Sequence, residues 1–162
     1  MTLVLGIDPG TATTGYGLVR IRAEGNLESI AYGTIQTPAG VAAHKRLSML
    51  FQQLNQIILL HKPDSCAVEK LYFQSNISTA IAVGQARGVV MLAISEAGLE
   101  MAEYTPNEVK QAVAGYGNAG KRQVQEMVRV LLTLSEIPKP DDAADALAIA
   151  ITHLNTQTYG ES

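Results

Sequence analysis

Four acidic residues stand where an acid is costly. Asp8 ends the apolar run LVLGID, just before the glycine-rich turn PGTATTGYG, and Glu69 ends a second apolar run, SCAVE. Asp142 and Asp145 lie three apart in DDAADALAIAI and share one helix face. The face of Asp145 continues through Ala148 and Ile149, so its carboxylate is directed inward. A carboxylate at the rim of a core is expensive to desolvate without a compensating cation, and several gathered together raise one another's pKa. Divalent ions remove the conflict. Ligands that are all oxygen, with no His or Cys, suit Mg²⁺, with Mn²⁺ able to substitute, rather than zinc. Two such ions held about 4 Å apart activate a water and clamp an in-line phosphodiester displacement. Asp8 would then be the central ligand of a two-ion site.

Each acid also has a plainer reading. Asp8 in DPG suits a turn that bonds its own backbone, Glu69 could pair with Lys70, and Asp141 and Asp142 are what a helix N-terminus favours. Asp145, set among alanines, has no such account. The joint pattern favours a metal site.

The elements that would carry these acids follow from periodicity. Leu3–Asp8 reads as a buried strand, and Tyr16–Ile21 and Leu27–Thr37 continue it as an antiparallel meander across glycine-bearing turns. Leu47, Leu50, Phe51, Leu54, Ile57 and Ile58 recur at helical spacing over Ala42–His61, and Ser65–Glu69 is a fourth strand. The strand–helix–strand order makes that strand parallel to a sheet member. Asp8 and Glu69 would then emerge at the carboxyl ends of neighbouring strands, where open α/β sheets place ligands. Asn76–Ala97 is a helix apolar on nearly every side, which needs two surfaces to bury against. A strand at Glu100–Tyr104 precedes Thr105-Pro106-Asn107-Glu108, a capping box opening a helix to Ala114. Helices over Arg122–Leu132 and Asp141–Leu154 complete a mixed five-stranded α/β sheet flanked by helices. The expected organisation is one domain over residues 1–157 and a polar tail over 158–162.

Composition sets bounds. The 162 residues are 47% apolar, without repeats or low-complexity tracts, as in a compact globular protein. The lone Cys66 reads as a buried filler suited to a reducing compartment, and the N-terminus carries no export signature. The apolar stretch Ile77–Ile94 is interrupted by Gln85 and Arg87, so no membrane span is expected. A net charge of −3 disfavours a nucleic-acid partner at first sight. Setting aside four acids as ion ligands leaves 11 acidic against 12 basic groups.

GIDPGTATTGYG, AVEKLYF, GQARGV, VKQAV with its glycine loop and Lys121, and DAADALAIAITH, in that order along nearly the whole chain, resemble the RuvC family of bacterial Holliday-junction resolvases. The resemblance implies an RNase H-like fold, a homodimer, and Mg²⁺-dependent paired nicking of four-way DNA junctions in recombination and repair. It also implies a cytoplasmic, nucleoid-associated protein that works with a branch-migration helicase complex. The family's acidic tetrad carries onto Asp8, Glu69, Asp142 and Asp145; Asp142 keeps the DxxD spacing, leaving Asp141 as a helix cap. Tyr72 matches a functional aromatic position, and with Phe73 it could stack on an unpaired base. Lys110 and Lys121 match family positions near the glycine loop and, with Arg122, could grip phosphates. Arg87 in GQARG is either a structural partner for an acid or another phosphate contact.

Gly115–Arg122 satisfies G-x-x-x-x-G-K, but a helix precedes it and Arg122 stands where Ser or Thr would hold Mg²⁺, which excludes a P-loop. His44, His61 and His153 lack metal-ligand spacing. Two rival readings remain: a non-catalytic junction-binding protein, which would not need four acids, and an actin- or sugar-kinase-like phosphotransferase. The latter is suggested by Asp8, Gly10 and Thr11 but would need a second domain to enclose ATP.

Overall fold

The computed structural model describes residues 2–70 and 77–160. Strands β1 (Thr2–Asp8), β2 (Thr13–Ile21) and β3 (Leu27–Gln36) form the expected antiparallel meander. β2 begins at Thr13 rather than Tyr16, because the ladder runs past the apolar residues: Asp8 pairs with Gly15, and Thr13 with Gln36. Helix α1 (Ala43–His61) returns the chain to β4 (Ser65–Glu69), parallel to β1, and α2 (Ile77–Glu96) leads to β5 (Glu100–Tyr104), parallel to β4. The sheet order is β3-β2-β1-β4-β5, so the two strands that carry acids at their carboxyl ends are central neighbours.

The twofold alternation of strands decides which face each acid takes. Leu3, Leu5 and Ile7 of β1, with Cys66 and Val68 of β4, pack against α1 and α2. Val4 and Ala67 belong to the opposite core, under α3 (Pro106–Ala114), α4 (Lys121–Leu131) and α5 (Asp141–Gly160). Asp8 and Glu69 share the alternation of Val4 and Ala67, and so face α5. That helix lies unusually close to the sheet. A Cβ on Gly6 would collide with the Ala146 carbonyl, one on Gly15 with the Asp142 carbonyl, and one on Gly17 with the Leu147 side chain. These strand glycines give up side-chain packing so that the backbone of α5 can approach.

α3 opens on the predicted capping box: Thr105 Oγ1 accepts the Glu108 N–H at 3.0 Å, and Glu108 Oε1 accepts the Thr105 N–H at 3.1 Å. α5 corrects the expected boundaries, running through Leu154 to Gly160, so residues 158–160 are helix rather than tail. The hydroxyls of Thr152 and Thr156 donate to the carbonyls four residues back, both at 2.8 Å, so these polar side chains are satisfied within the helix itself.

α2 is long enough, with mean hydropathy 1.6, to cross a membrane by length and composition alone. Its inner face, Ala86, Val90, Ala93 and Ile94, is instead buried in the α1–sheet core, and Arg87 pairs with Glu103 of β5. The outer face, Ile77, Ile81, Met91 and Leu92, is exposed, Ile77 to 79%. Gly84 and Gly88 lie on that outer face with open space where a Cβ would stand.

Candidate active site

Asp8 and Glu69 leave adjacent parallel strands at the same edge, Ile7 being paired with Val68 one step earlier. α5 lies across that edge and contributes Asp142 from its first turn and Asp145 one turn on. One carboxylate oxygen from each of Asp8, Asp142 and Asp145 lies within 4.8 Å of the others. Burial first, then Asp145, Asp142 and Glu69, push the Asp8 carboxyl up from the usual carboxylate range to about 8. Burial and Asp145 likewise raise Glu69, with Lys110 drawing it back. Burial raises Asp145 against the opposing pull of Lys121. Among the described residues every influence on Asp8 raises its pKa, while Lys110 and Lys121 offset only its neighbours Glu69 and Asp145. An all-oxygen cluster this close fits hard divalent ions.

A cleft of about 300 Å³ opens beside the acids, lined by Glu69, Asp145, Lys110 and Lys121 over an apolar floor from α3, α4 and α5. Lys110 and Lys121 therefore join the site. Arg122 does not; it lies over other surface hollows, one shared with Glu126 and one with Glu136. Tyr72 and Phe73 lie outside the described residues. His153 is buried and bonded to Ser65 Oγ at 3.1 Å and Tyr104 Oη at 2.6 Å, an ordinary structural histidine. Gly115–Gly120 joins two helices, as the exclusion of a P-loop requires.

One reading needs correction and another, left open, is narrowed. Asp141 is not a cap but the first helical residue, paired with Lys121 at 3.1 Å and accepting from Gln125 at 3.1 Å; the Pro140 carbonyl accepts the N–H groups of Ala143 and Ala144 instead. Of the two roles open to Arg87, the structure displays the structural one. Its Nη2 lies 2.7 Å from Glu103 Oε1, its Nη1 donates to the Glu69 carbonyl at 2.7 Å, and its side chain is only 13% exposed, which leaves little of it for a phosphate. Sequence reasoning missed both this backbone contact and the three glycine seats. Glycine within an otherwise apolar strand was the available signal for the seats.

A mixed sheet in this order, with acids from β1, β4 and α5 gathered at the carboxyl ends of its central strands, defines an RNase H-like fold of the kind used by metal-dependent nucleases. The family model described as crossover junction endodeoxyribonuclease RuvC matches residues 4–153, and the chain belongs to that family. The crossover junction endodeoxyribonuclease RuvC of Heliobacterium modesticaldum is 55% identical over 158 residues, 98% of this chain and 97% of that protein. The Chloroflexus aurantiacus protein of the same name is 57% identical over 152 residues, 94% and 92% of the two chains. The solved structure of Thermus thermophilus RuvC in complex with a Holliday junction substrate aligns with TM-score 0.90 and 33% identity, over 98% of this chain and 97% of that one. The yeast mitochondrial Holliday junction resolvase shares the fold, with TM-score 0.71 at 14% identity over 96% of this chain and 78% of that one.

Proposed function

We propose that this chain is a structure-selective endonuclease that resolves four-way DNA junctions by paired, symmetric nicks, using two Mg²⁺ ions per site, with Mn²⁺ able to replace them. The observation that carries the reading is the convergence of Asp8, Asp142 and Asp145 within 4.8 Å, beside Glu69 and, among the described residues, with no compensating cation at Asp8. The ions would supply Lewis acidity to the scissile phosphate and the attacking water. The chain's own residues do the rest. Asp8, Glu69, Asp142 and Asp145 would hold the ions, Asp8, which feels all three other acids, as the central ligand. Lys110 and Lys121 line the approach and draw the phosphate backbone towards the acids. The apolar floor of the cleft limits water around them. Tyr72, assigned by family resemblance, and the adjacent Phe73 would stack on junction bases. Arg122 would contribute at most an outlying phosphate contact.

A four-way junction has approximate twofold symmetry, which a C2 dimer matches with two equal sites. The outer face of α2 supports that partner. Its exposed Ile77, Ile81, Met91 and Leu92 flank Gly84 and Gly88, whose lack of a side chain relieves no clash among the described residues. Glycine in a helix costs about 1 kcal/mol relative to alanine. At these positions it suits close approach of a second helix. The protein would work in the bacterial cytoplasm on nucleoid DNA, together with a branch-migration helicase complex.

Incubating the protein with synthetic four-way junctions and Mg²⁺ should give paired nicks in opposing strands. Binding without nicks would reinstate the junction-binding reading, and ATP turnover the phosphotransferase.

A further inference from the structure

Arg87 is one of only two charged residues in α2. A guanidinium so little exposed costs several kcal/mol in lost hydration unless its donors are satisfied. Its planar fork is satisfied at two points on two strands, the Glu103 carboxylate of β5 and the main-chain carbonyl of Glu69 at the end of β4. The alternation of β4 directs the Glu69 carboxylate towards α5. Arg87 therefore holds that residue's backbone from the other side of the sheet, while the side chain stays free to serve as a ligand.

A second contact from the same helix has the same form. The hydroxyl of Thr11, three residues beyond Asp8, donates to the Ala82 carbonyl of α2 at 3.1 Å. The Thr11 carbonyl in turn accepts from Thr37 Oγ1 at 2.6 Å. The Tyr104 carbonyl accepts the Lys70 N–H at 2.7 Å, fixing the chain just past Glu69. α2 thus ties down the loop after Asp8 and the strand end at Glu69, while its opposite face carries the exposed apolar residues.

We infer that Arg87 is a positioning residue: it sets the backbone of Glu69, and through it the affinity of the acidic cluster for divalent ions, without touching DNA. The inference rests on the metal-site reading above. Removing an outer partner of a metal ligand commonly lowers metal affinity by about 10- to 100-fold.

The test compares Arg87→Met, Arg87→Lys and Glu103→Gln with the unaltered protein in four measurements. These are Mn²⁺ binding by calorimetry, the Mg²⁺ concentration for half-maximal nicking, junction binding in EDTA with its salt dependence, and the thermal midpoint. Arg87→Met should weaken Mn²⁺ binding and raise the half-saturating Mg²⁺ by about 10-fold or more, with junction binding in EDTA changed by less than about 2-fold. Arg87→Lys, which can keep one contact of the two, should fall between. Glu103→Gln, which leaves the carbonyl contact in place, should shift metal affinity in the same direction by less. Should Arg87→Met not fold, the other two variants decide by the same readouts. Metal affinity unchanged while the thermal midpoint falls overturns the inference in favour of a purely structural arginine. Unchanged metal affinity with weaker, less salt-sensitive junction binding overturns it in favour of a phosphate contact. Unaltered protein that binds Mn²⁺ yet leaves junctions intact would overturn the nuclease reading and leave the Arg87 comparison standing.

Discussion

α5 carries two polar clusters about two turns apart, and they are built on opposite terms. Around His153 the ring nitrogens meet Ser65 Oγ and Tyr104 Oη, so three elements are joined by neutral, mutually satisfied groups. Burial lowers the pKa of His153 and raises that of Tyr104, which holds both uncharged near neutrality. Around Asp145 the same helix meets Asp8, Asp142 and Glu69, four acids crowded together with only Lys110 and Lys121 at the cleft drawing on Glu69 and Asp145. A satisfied buried network locks a fold. A cluster that raises its own pKa values is an electrostatic cost that the protein carries because something else completes it.

The largest effects should come from the acidic cluster. Asp8→Asn, Glu69→Gln, Asp142→Asn or Asp145→Asn should each lower junction nicking by roughly 1,000-fold or more, as expected when a metal-held transition state is lost. Junction binding should survive in gel-shift assays. Chelation by EDTA should do the same to the unaltered protein. Equal loss of folding in all four variants would make the two clusters alike, both structural.

The same acids predict a dependence of stability on pH. With Asp8 near 8 in the fold and at its ordinary 3.8 in the unfolded chain, the folded state holds the extra proton between those values. Stability of the metal-free protein is then full below pH 4 as far as this group is concerned, and is lost as pH rises towards 8. Asp8→Asn should flatten that decline and raise the metal-free midpoint at pH 8, leaving it little changed near pH 4. Added Mg²⁺ should stabilise the unaltered protein more at pH 8 than at pH 5. A melting curve indifferent to pH, or an Asp8→Asn variant less stable at pH 8, would contradict this electrostatic picture.

Breaking the other cluster should give the reverse pattern. Tyr104→Phe removes one partner of His153 and leaves a buried ring nitrogen unpaired, which costs about 1–3 kcal/mol. Nicking per folded molecule should change by less than about 2-fold. A loss of activity out of proportion to stability would move the His153 network into the catalytic machinery.

The acids were easier to find in the sequence than the contacts that place them. Asp8 and Glu69 were legible because each interrupts an apolar strand, and parallel pairing follows from the strand–helix–strand order. Asp145 was legible because nothing local explained it. Asp141 was misread because any acid at a helix N-terminus looks like a cap, and only the neighbouring α4 reveals that it faces Lys121. The glycine seats and the reach of Arg87 to a backbone carbonyl depend on how closely layers approach, which no single-chain periodicity encodes. The extension of α5 beyond Leu154 escaped because the polar residues that follow, Thr156 among them, resemble a tail by composition, whereas the Thr156 hydroxyl bonds back to the Thr152 carbonyl of its own helix.

The smallest predicted effect lies at the mouth of the acidic cluster, where the Lys121–Asp141 pair is exposed. Such a pair contributes little to stability, about 0–1 kcal/mol, so Lys121→Ala should leave the melting temperature nearly unchanged. Its consequence should appear with DNA. The ammonium is raised in pKa first by its hydrogen bond to Asp141 and then by Asp145, so it remains charged beside the cleft. If it transfers from Asp141 to a phosphate on binding, its loss should weaken junction affinity several-fold and reduce the slope of log affinity against log salt by about one unit. Asp141→Asn should do the opposite, tightening binding modestly by freeing the lysine. An unchanged salt slope in Lys121→Ala would mean that the pair merely neutralises itself on the surface. The site's attraction for DNA would then rest on Lys110 and the bound ions alone.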